Sequence, residues 1–143
     1  MVSTHAITRR LEFDAGHRVY GHEGKCNHLH GHRYVAEITV QSRALDAIGR
    51  VVDFGVVKEK VGSWIDREWD HNVLLNVDDP LYQDREFWAK NGRSPFVLIG
   101  NPTAEVMAVY LFGVAQCLLS ELIVSKVRIY ETPNCWADYP NNA

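Results

Sequence analysis

From His5 to His17 apolar and polar residues take turns. His5, Ile7, Leu11, Phe13, Ala15 and His17 share one parity, while Thr8, Arg10, Glu12 and Asp14 share the other. Arg9 interrupts the first set, yet a period of two predicts a half-buried strand over 5–17. A Gly-containing loop from Tyr20 to Asn27 follows. The alternation then resumes, with His30, His32, Tyr34, Ala36, Ile38 and Val40 on one face and Arg33, Glu37, Thr39 and Gln41 on the other. Two strands this close in sequence are expected to pair antiparallel.

The period then changes. Val57, Val61, Trp64, Ile65 and Glu68 have helical spacing, which predicts an amphipathic helix over roughly 54–69, starting after Asp53. Residues 70–100 read as irregular, with a helical turn near 82–90 and an apolar run, Phe96–Ile99, that periodicity does not assign. A second helix is predicted from Asn101-Pro102, a capping residue followed by proline, to about Glu121. It is apolar around most of its circumference, so burial is expected, with Cys117 an inert thiol inside it. Val124–Thr132 alternates again, with Val127, Ile129 and Glu131 on one face. Pro133-Asn134 makes a turn and Trp136–Tyr139 returns as a short strand. The order is ββααββ. It implies one α+β domain spanning 1–143, an antiparallel sheet with two helices on one face.

Composition narrows the class. With 46% hydrophobic and 23% charged residues the chain is expected to be a globular protein and not a disordered one. A formal net charge of −3 offers no basic face for nucleic acid. No apolar run approaches the ~20 residues that would span a membrane, and MVSTHAITRRLEF holds no apolar h-region, so export is not expected. Three scattered cysteines, Cys26, Cys117 and Cys135, do not make a disulfide framework, so a cytoplasmic location is expected.

The strongest chemical signal is Cys26-Asn-His28-Leu-His30-Gly-His32. Residues two apart on a strand project from one face, so His30 and His32 can converge on one ion. Pairing the strands brings His17 beside them. Three imidazoles without a carboxylate suit Zn2+ and leave a fourth position open, as in catalytic sites. Spacing alone also allows two other readings: ordinary strand histidines, or a closed structural site of Cys26, His28, His30 and His32.

Acid–base candidates are fewer. In Asp70-His71 a carboxylate next to an imidazole can fix its tautomer for proton transfer, though the same dipeptide also serves as a helix-end charge pair. Cys26 would act as a base if zinc or a cation lowered its pKa. Glu131 lies on an apolar strand face, where an unpaired carboxylate is costly to bury and calls for a ligand donor or cation. Glu105 falls in the first turn of the second helix, where the macrodipole favours it.

Together these residues resemble the 6-pyruvoyl-tetrahydropterin synthase and 6-carboxy-5,6,7,8-tetrahydropterin synthase family. The match runs in order through Phe13-Asp-Ala-Gly-His17, Cys26-x-x-x-His30-Gly-His32, Asp53-Phe-Gly, Asp70-His71-Asn, Asn101-Pro-Thr-Ala-Glu105 and Tyr130-Glu131-Thr-Pro. His28 is an extra imidazole beside that pattern, and Asp14-Ala15-Gly16 departs from the usual approach to the first histidine. The resemblance implies the tunnelling fold (T-fold), an oligomeric barrel assembled as a homohexamer of two trimers. It implies a zinc-dependent lyase acting on 7,8-dihydroneopterin triphosphate, a small-molecule pterin substrate. His17, His30 and His32 would hold Zn2+, Cys26 would be the base working with Asp70 and His71, and Glu131 would anchor the pterin ring. Thr103 and Glu105 are further substrate-binding candidates.

The family has two product branches. One releases triphosphate and acetaldehyde to give 6-carboxy-5,6,7,8-tetrahydropterin, for queuosine. The other eliminates triphosphate to give 6-pyruvoyl-tetrahydropterin, for biopterin. The nine-position interval from His17 to Cys26 looks more like the first. A reading of another class is a non-catalytic zinc-binding structural subunit.

Overall fold

β1 (His5–His17) and β2 (His30–Ser42) pair antiparallel along their full length, from His5 opposite Ser42 to His17 opposite His30. The chain is seen here in a computed structural model that describes residues 4–141, so the outermost ends of the 1–143 span lie outside the description. The inward parity of β1 is the apolar one expected: Leu11, Phe13, Ala15 and His17 are buried while Arg10 and Glu12 face out. On β2, Tyr34, Ala36, Ile38 and Val40 are wholly buried.

β5 (Ile123–Thr132) pairs antiparallel with β2, and β6 (Cys135–Tyr139) with β5. Ser125 is an extra residue in the β2–β5 ladder, which lets both Val124 and Val127 point inward despite their odd spacing. The region read as irregular holds more order than its pattern suggested. β3 (Asn72–Asn76) pairs parallel with β1, and β4 (Phe96–Leu98) parallel with β3. The sheet is therefore mixed, in the order β4-β3-β1-β2-β5-β6, and the expected antiparallel set is its β1-β2-β5-β6 portion.

The helix expected after Asp53 forms as α1 (Phe54–Val57), a π-helical turn over Lys58–Gly62, and α2 (Ser63–Glu68). Asp53 caps it by accepting from the Gly55 N–H. The π turn leaves Val57, Val61 and Ile65 all inward, and Gly62 lies where a Cβ would stand 3.4 Å from the Leu11 side chain. The helical turn near 82–90 is α3 (Arg85–Asn91).

α4 (Ala104–Leu118) starts two residues later than expected. Thr103, not Asn101, is the N-cap, its hydroxyl accepting from Val106 N–H, and Pro102 precedes the cap. Met107, Ala108, Leu111 and Ala115 close over the sheet, but the opposite side is open, with Val109, Tyr110 and Cys117 exposed. The expectation that this helix is buried nearly all round, Cys117 included, is corrected. An apolar helix can leave a face uncovered when the sheet reaches only one side of it.

The sheet's other face is polar. Arg10 pairs with Glu12 and Glu37, Arg33 with Glu12 and Asp14, and Arg128 with Asp138. The main apolar core therefore lies between the sheet and the helices, while the polar face carries only a small cluster in which Tyr130 packs on Trp136.

Candidate metal centre and active site

His17 and His30 end their strands directly opposite one another, and His32 lies two residues along the same face, opposite Ala15. The small Ala15 side chain leaves room for the His32 ring. The three rings meet edge to face, with centroids 4.7, 5.1 and 4.8 Å apart. One nitrogen from each lies within 4.8 Å of the others. Cys26 and His28 are not in this group, which argues against the closed Cys/His site. His28 is exposed and contributes only its backbone carbonyl.

Two carbonyls decide what the nitrogens can do. The His17 Nδ1–H donates to Pro102 O at 2.7 Å, and the His30 Nδ1–H donates to His28 O at 2.6 Å. A carbonyl only accepts, so both rings carry a proton on Nδ1 and, as neutral imidazoles, present bare Nε2 atoms. Those two Nε2 atoms stand 3.1 Å apart. Lone pairs aimed at one another repel unless a cation or proton lies between them. Two nitrogens held tetrahedrally at zinc's bond length would be about 3.3 Å apart. His32 Nε2 is buried with no hydrogen-bond partner. Burial holds the pKa values of His17 and His32 below the ordinary imidazole value, outweighing the Glu131 charge. Neutral imidazole is the form a metal needs. The donor set fits zinc.

Glu131 joins the histidines. Its Oε1 is 3.4 Å from His32 Nε2. Tyr130 pairs with Trp136 and Thr132 with Cys135, so Glu131 is the extra residue of a bulge. Bulges re-aim a side chain, and this one turns the carboxylate toward the histidine end of β2. Tyr34 lies beneath, its ring 5.8 Å from His17 and 5.5 Å from His32. Burial first, and the Glu131 charge second, raise its pKa well above the ordinary phenol value.

Asp70 and His71 occupy a different place. Asp70 Oδ1 accepts from Asp14 N–H at 3.0 Å, and His71 N–H donates to Asp14 O at 2.6 Å. This clamp on the β1 edge immediately precedes the parallel pairing of Ala15 with Asn72. His71 adopts φ 57°, a left-handed conformation that costs a non-glycine residue energy. Its Nδ1–H donates to Asp70 Oδ2 at 2.8 Å, while the ring is largely exposed. Burial raises the Asp70 pKa, but the Asp14 N–H, His71 and Arg33 outweigh it and the net shift is downward.

Cys26 is a free, half-buried thiol in a single 3-10 turn, Lys25–Asn27, of the β1–β2 loop. Val19 N–H to Cys26 O at 2.9 Å and Gly21 N–H to Asn27 Oδ1 at 3.0 Å hold that loop together. Asn101, displaced from the capping role, ties it to the site's floor by bonding both Tyr20 backbone groups and Asn76. Among the described residues, Cys26 makes no hydrogen bond to Asp70 or His71. Thr103 spends its hydroxyl on the α4 cap, and Glu105 is exposed in the first turn.

Comparison with known proteins now decides the family. The profile of the 6-pyruvoyl tetrahydropterin synthase family matches residues 6–142. The chain belongs to this family. The Rickettsia bellii protein named 6-carboxy-5,6,7,8-tetrahydropterin synthase is 41% identical over 134 residues, covering 92% of this chain and 96% of its own. The human 6-pyruvoyl tetrahydrobiopterin synthase is 29% identical over 140 residues, covering 90% and 86%. Among solved structures, an uncharacterized protein of Wolinella succinogenes superposes with a TM-score of 0.83 at 24% identity, over 97% and 99% of the chains. The 6-pyruvoyl tetrahydropterin synthase of Caenorhabditis elegans superposes with a TM-score of 0.69 at 25% identity, over 96% of each chain. The fold is the α+β tunnelling fold, its mixed sheet curled into a half-barrel. The family acts on pterins. Among the described residues no helix is long and apolar enough to cross a membrane.

Proposed function

We propose that this chain is a zinc-dependent lyase that converts 7,8-dihydroneopterin triphosphate to 6-carboxy-5,6,7,8-tetrahydropterin, releasing triphosphate and acetaldehyde. The observation that carries the reading is the convergence of three imidazole nitrogens, two of them on rings whose Nδ1–H is bound to a carbonyl, beside the Glu131 carboxylate. Two relatives at 41% identity bear the name 6-carboxy-5,6,7,8-tetrahydropterin synthase, which supports the 6-carboxy branch; the queuosine route is part of the same proposal. Assembly as a homohexamer of two trimers belongs to the same proposal, as does a cytoplasmic location.

His17, His30 and His32 would hold Zn2+, which when bound supplies Lewis-acid polarisation of an oxygen on the substrate side chain. The protein's own groups do the rest. His32 Nε2 cannot serve both an ion and Glu131, so the carboxylate is left for the ligand. A pterin offers it two adjacent N–H donors, one for each oxygen. Cys26, as thiolate, takes a proton from the side chain. His71, with Nδ1–H engaged by Asp70, presents a bare Nε2 that accepts and returns protons. Thr103 and Glu105 are proposed as further contacts at the α4 end of the site.

Incubating the zinc-loaded protein with 7,8-dihydroneopterin triphosphate and measuring products tests this. Triphosphate, acetaldehyde and 6-carboxy-5,6,7,8-tetrahydropterin should appear together. Triphosphate without acetaldehyde would assign the 6-pyruvoyl reaction, and bound zinc without turnover would assign a structural subunit.

A further inference from the structure

β2 and β5 pair in a register that sets Val35 opposite Tyr130 and Ala36 opposite Ile129. Tyr34 and Glu131 are the next residues along the two strands, and both adjoin His32, Tyr34 by its ring at 5.5 Å and Glu131 by Oε1 at 3.4 Å from Nε2. Tyr34 is wholly buried, stacked on Phe13 at 5.2 Å and bounded by the edges of His17 and His32. A ring held by three aromatic neighbours cannot swing its hydroxyl toward water.

That hydroxyl has no hydrogen-bond partner. Among the described residues, the other buried side-chain polar atoms in this condition are Trp69 Nε1 and His32 Nε2, and the latter faces the same Glu131. An enclosed donor without an acceptor is unfavourable, and phenylalanine would keep the stack without that cost. A group suited to accept from it is the Glu131 carboxylate beside the same histidine, whose Oε1 here lies 3.4 Å from His32 Nε2 instead.

We propose that Tyr34 is a positioning residue: once the three histidines hold an ion, its hydroxyl donates to Glu131 and fixes that carboxylate for the N–H donors of the ligand. One oxygen is then pinned from below and the carboxylate plane is set by a donor that cannot rotate. The inference rests on the proposed role of Glu131 as the pterin anchor.

Neopterin, a fully oxidised pterin that cannot react, can be titrated into the zinc-loaded protein and followed by its fluorescence. Tyr34→Phe should weaken neopterin binding about tenfold, with zinc content unchanged and the thermal midpoint equal or higher. In a Glu131→Gln background the same substitution should have no further effect. Unchanged neopterin affinity in Tyr34→Phe, when Glu131→Gln alone weakens it, would overturn the inference and leave the Glu131 anchor standing. Equal losses from Tyr34→Phe in both backgrounds would also overturn it, because the hydroxyl would then act independently of Glu131. Normal binding by Glu131→Gln would remove the anchor and the inference together.

Discussion

His17 and His71 are each fixed by one hydrogen bond from ring Nδ1–H, yet they end in opposite surroundings. The His17 partner is the neutral carbonyl of Pro102, and the side chain is 1% exposed. The His71 partner is the Asp70 carboxylate, and its side chain is 76% exposed. Burial against a neutral acceptor keeps an imidazole uncharged, with a lone pair available to a metal. A carboxylate partner and open water suit a ring that exchanges protons. The ring is the same in both places, so its hydrogen-bond partner and its burial set which of the two proposed roles it suits. The comparison also shows what one chain completes. The metal half is gathered within a few residues of the β1–β2 end, whereas the Asp70–His71 clamp sits at Asp14, three residues and about 10 Å back along β1.

The metal half breaks most sharply. His30→Ala and His32→Ala should each abolish zinc binding and turnover, read by metal analysis and product assay on the same samples. His28→Ala is the control, because that residue contributes a carbonyl and not a ring. Zinc near one equivalent per chain in His28→Ala separates the three-histidine site from one that uses all four positions of the motif. Loss of zinc there would sink the assignment.

Cys26 tests the proton half. If it is the base, Cys26→Ala should keep its zinc and lose turnover by about 10²–10⁴-fold. Loss of metal together with fold stability would make Cys26 a structural ligand instead, since binding and folding are coupled.

Glu131 stands between the halves. Glu131→Gln places a donor where the pterin also donates, and should weaken pterin binding by roughly 2–4 kcal/mol, on the order of a hundredfold, with zinc unchanged. Equal affinity for neopterin in the variant and the parent would mean that the ring binds elsewhere.

How much of this was legible follows from the period of each element. β1 and β2 are long, half-buried and alternating, so parity alone places His17, His30 and His32 on one face. Glu131 followed from the same parity, but the bulge that turns it toward His32 did not, because a single unpaired residue leaves no mark in the pattern. β3 and β4 were missed for a different reason. Asn72–Asn76 and Phe96–Leu98 are short, and they join the sheet by parallel pairing with a strand far away in sequence. The Pro102 carbonyl that orients His17 lies 85 residues from it. No local signal reports such a contact. Asn101 shows the converse, since a good capping residue was taken elsewhere by the Tyr20 loop.

The smallest effect concerns the stability of the ground beneath the metal half. Arg18, next to His17, forms a two-pronged pair with Asp79, whose side chain is fully buried, and Asp79 Oδ1 also accepts from Leu81 N–H at 2.8 Å. Burial raises the Asp79 pKa, but the Arg18 hydrogen bonds and charge with the Leu81 N–H outweigh it, so the net shift is downward. A carboxyl with a depressed folded pKa stabilises the fold above its unfolded value of about 3.9 and stops doing so as pH falls through the folded value. Asp79→Asn should therefore cost about 2 kcal/mol near neutral pH, because it strands the partly buried Arg18. The cost should shrink below about pH 4 as the parent carboxyl takes up its proton. Melting the metal-free parent and variant in parallel from pH 7 to pH 3 checks this, since their histidines titrate alike and cancel in the difference. A gap that stays constant across that range would mean that Asp79 acts through its turn hydrogen bonds and not through its charge on Arg18.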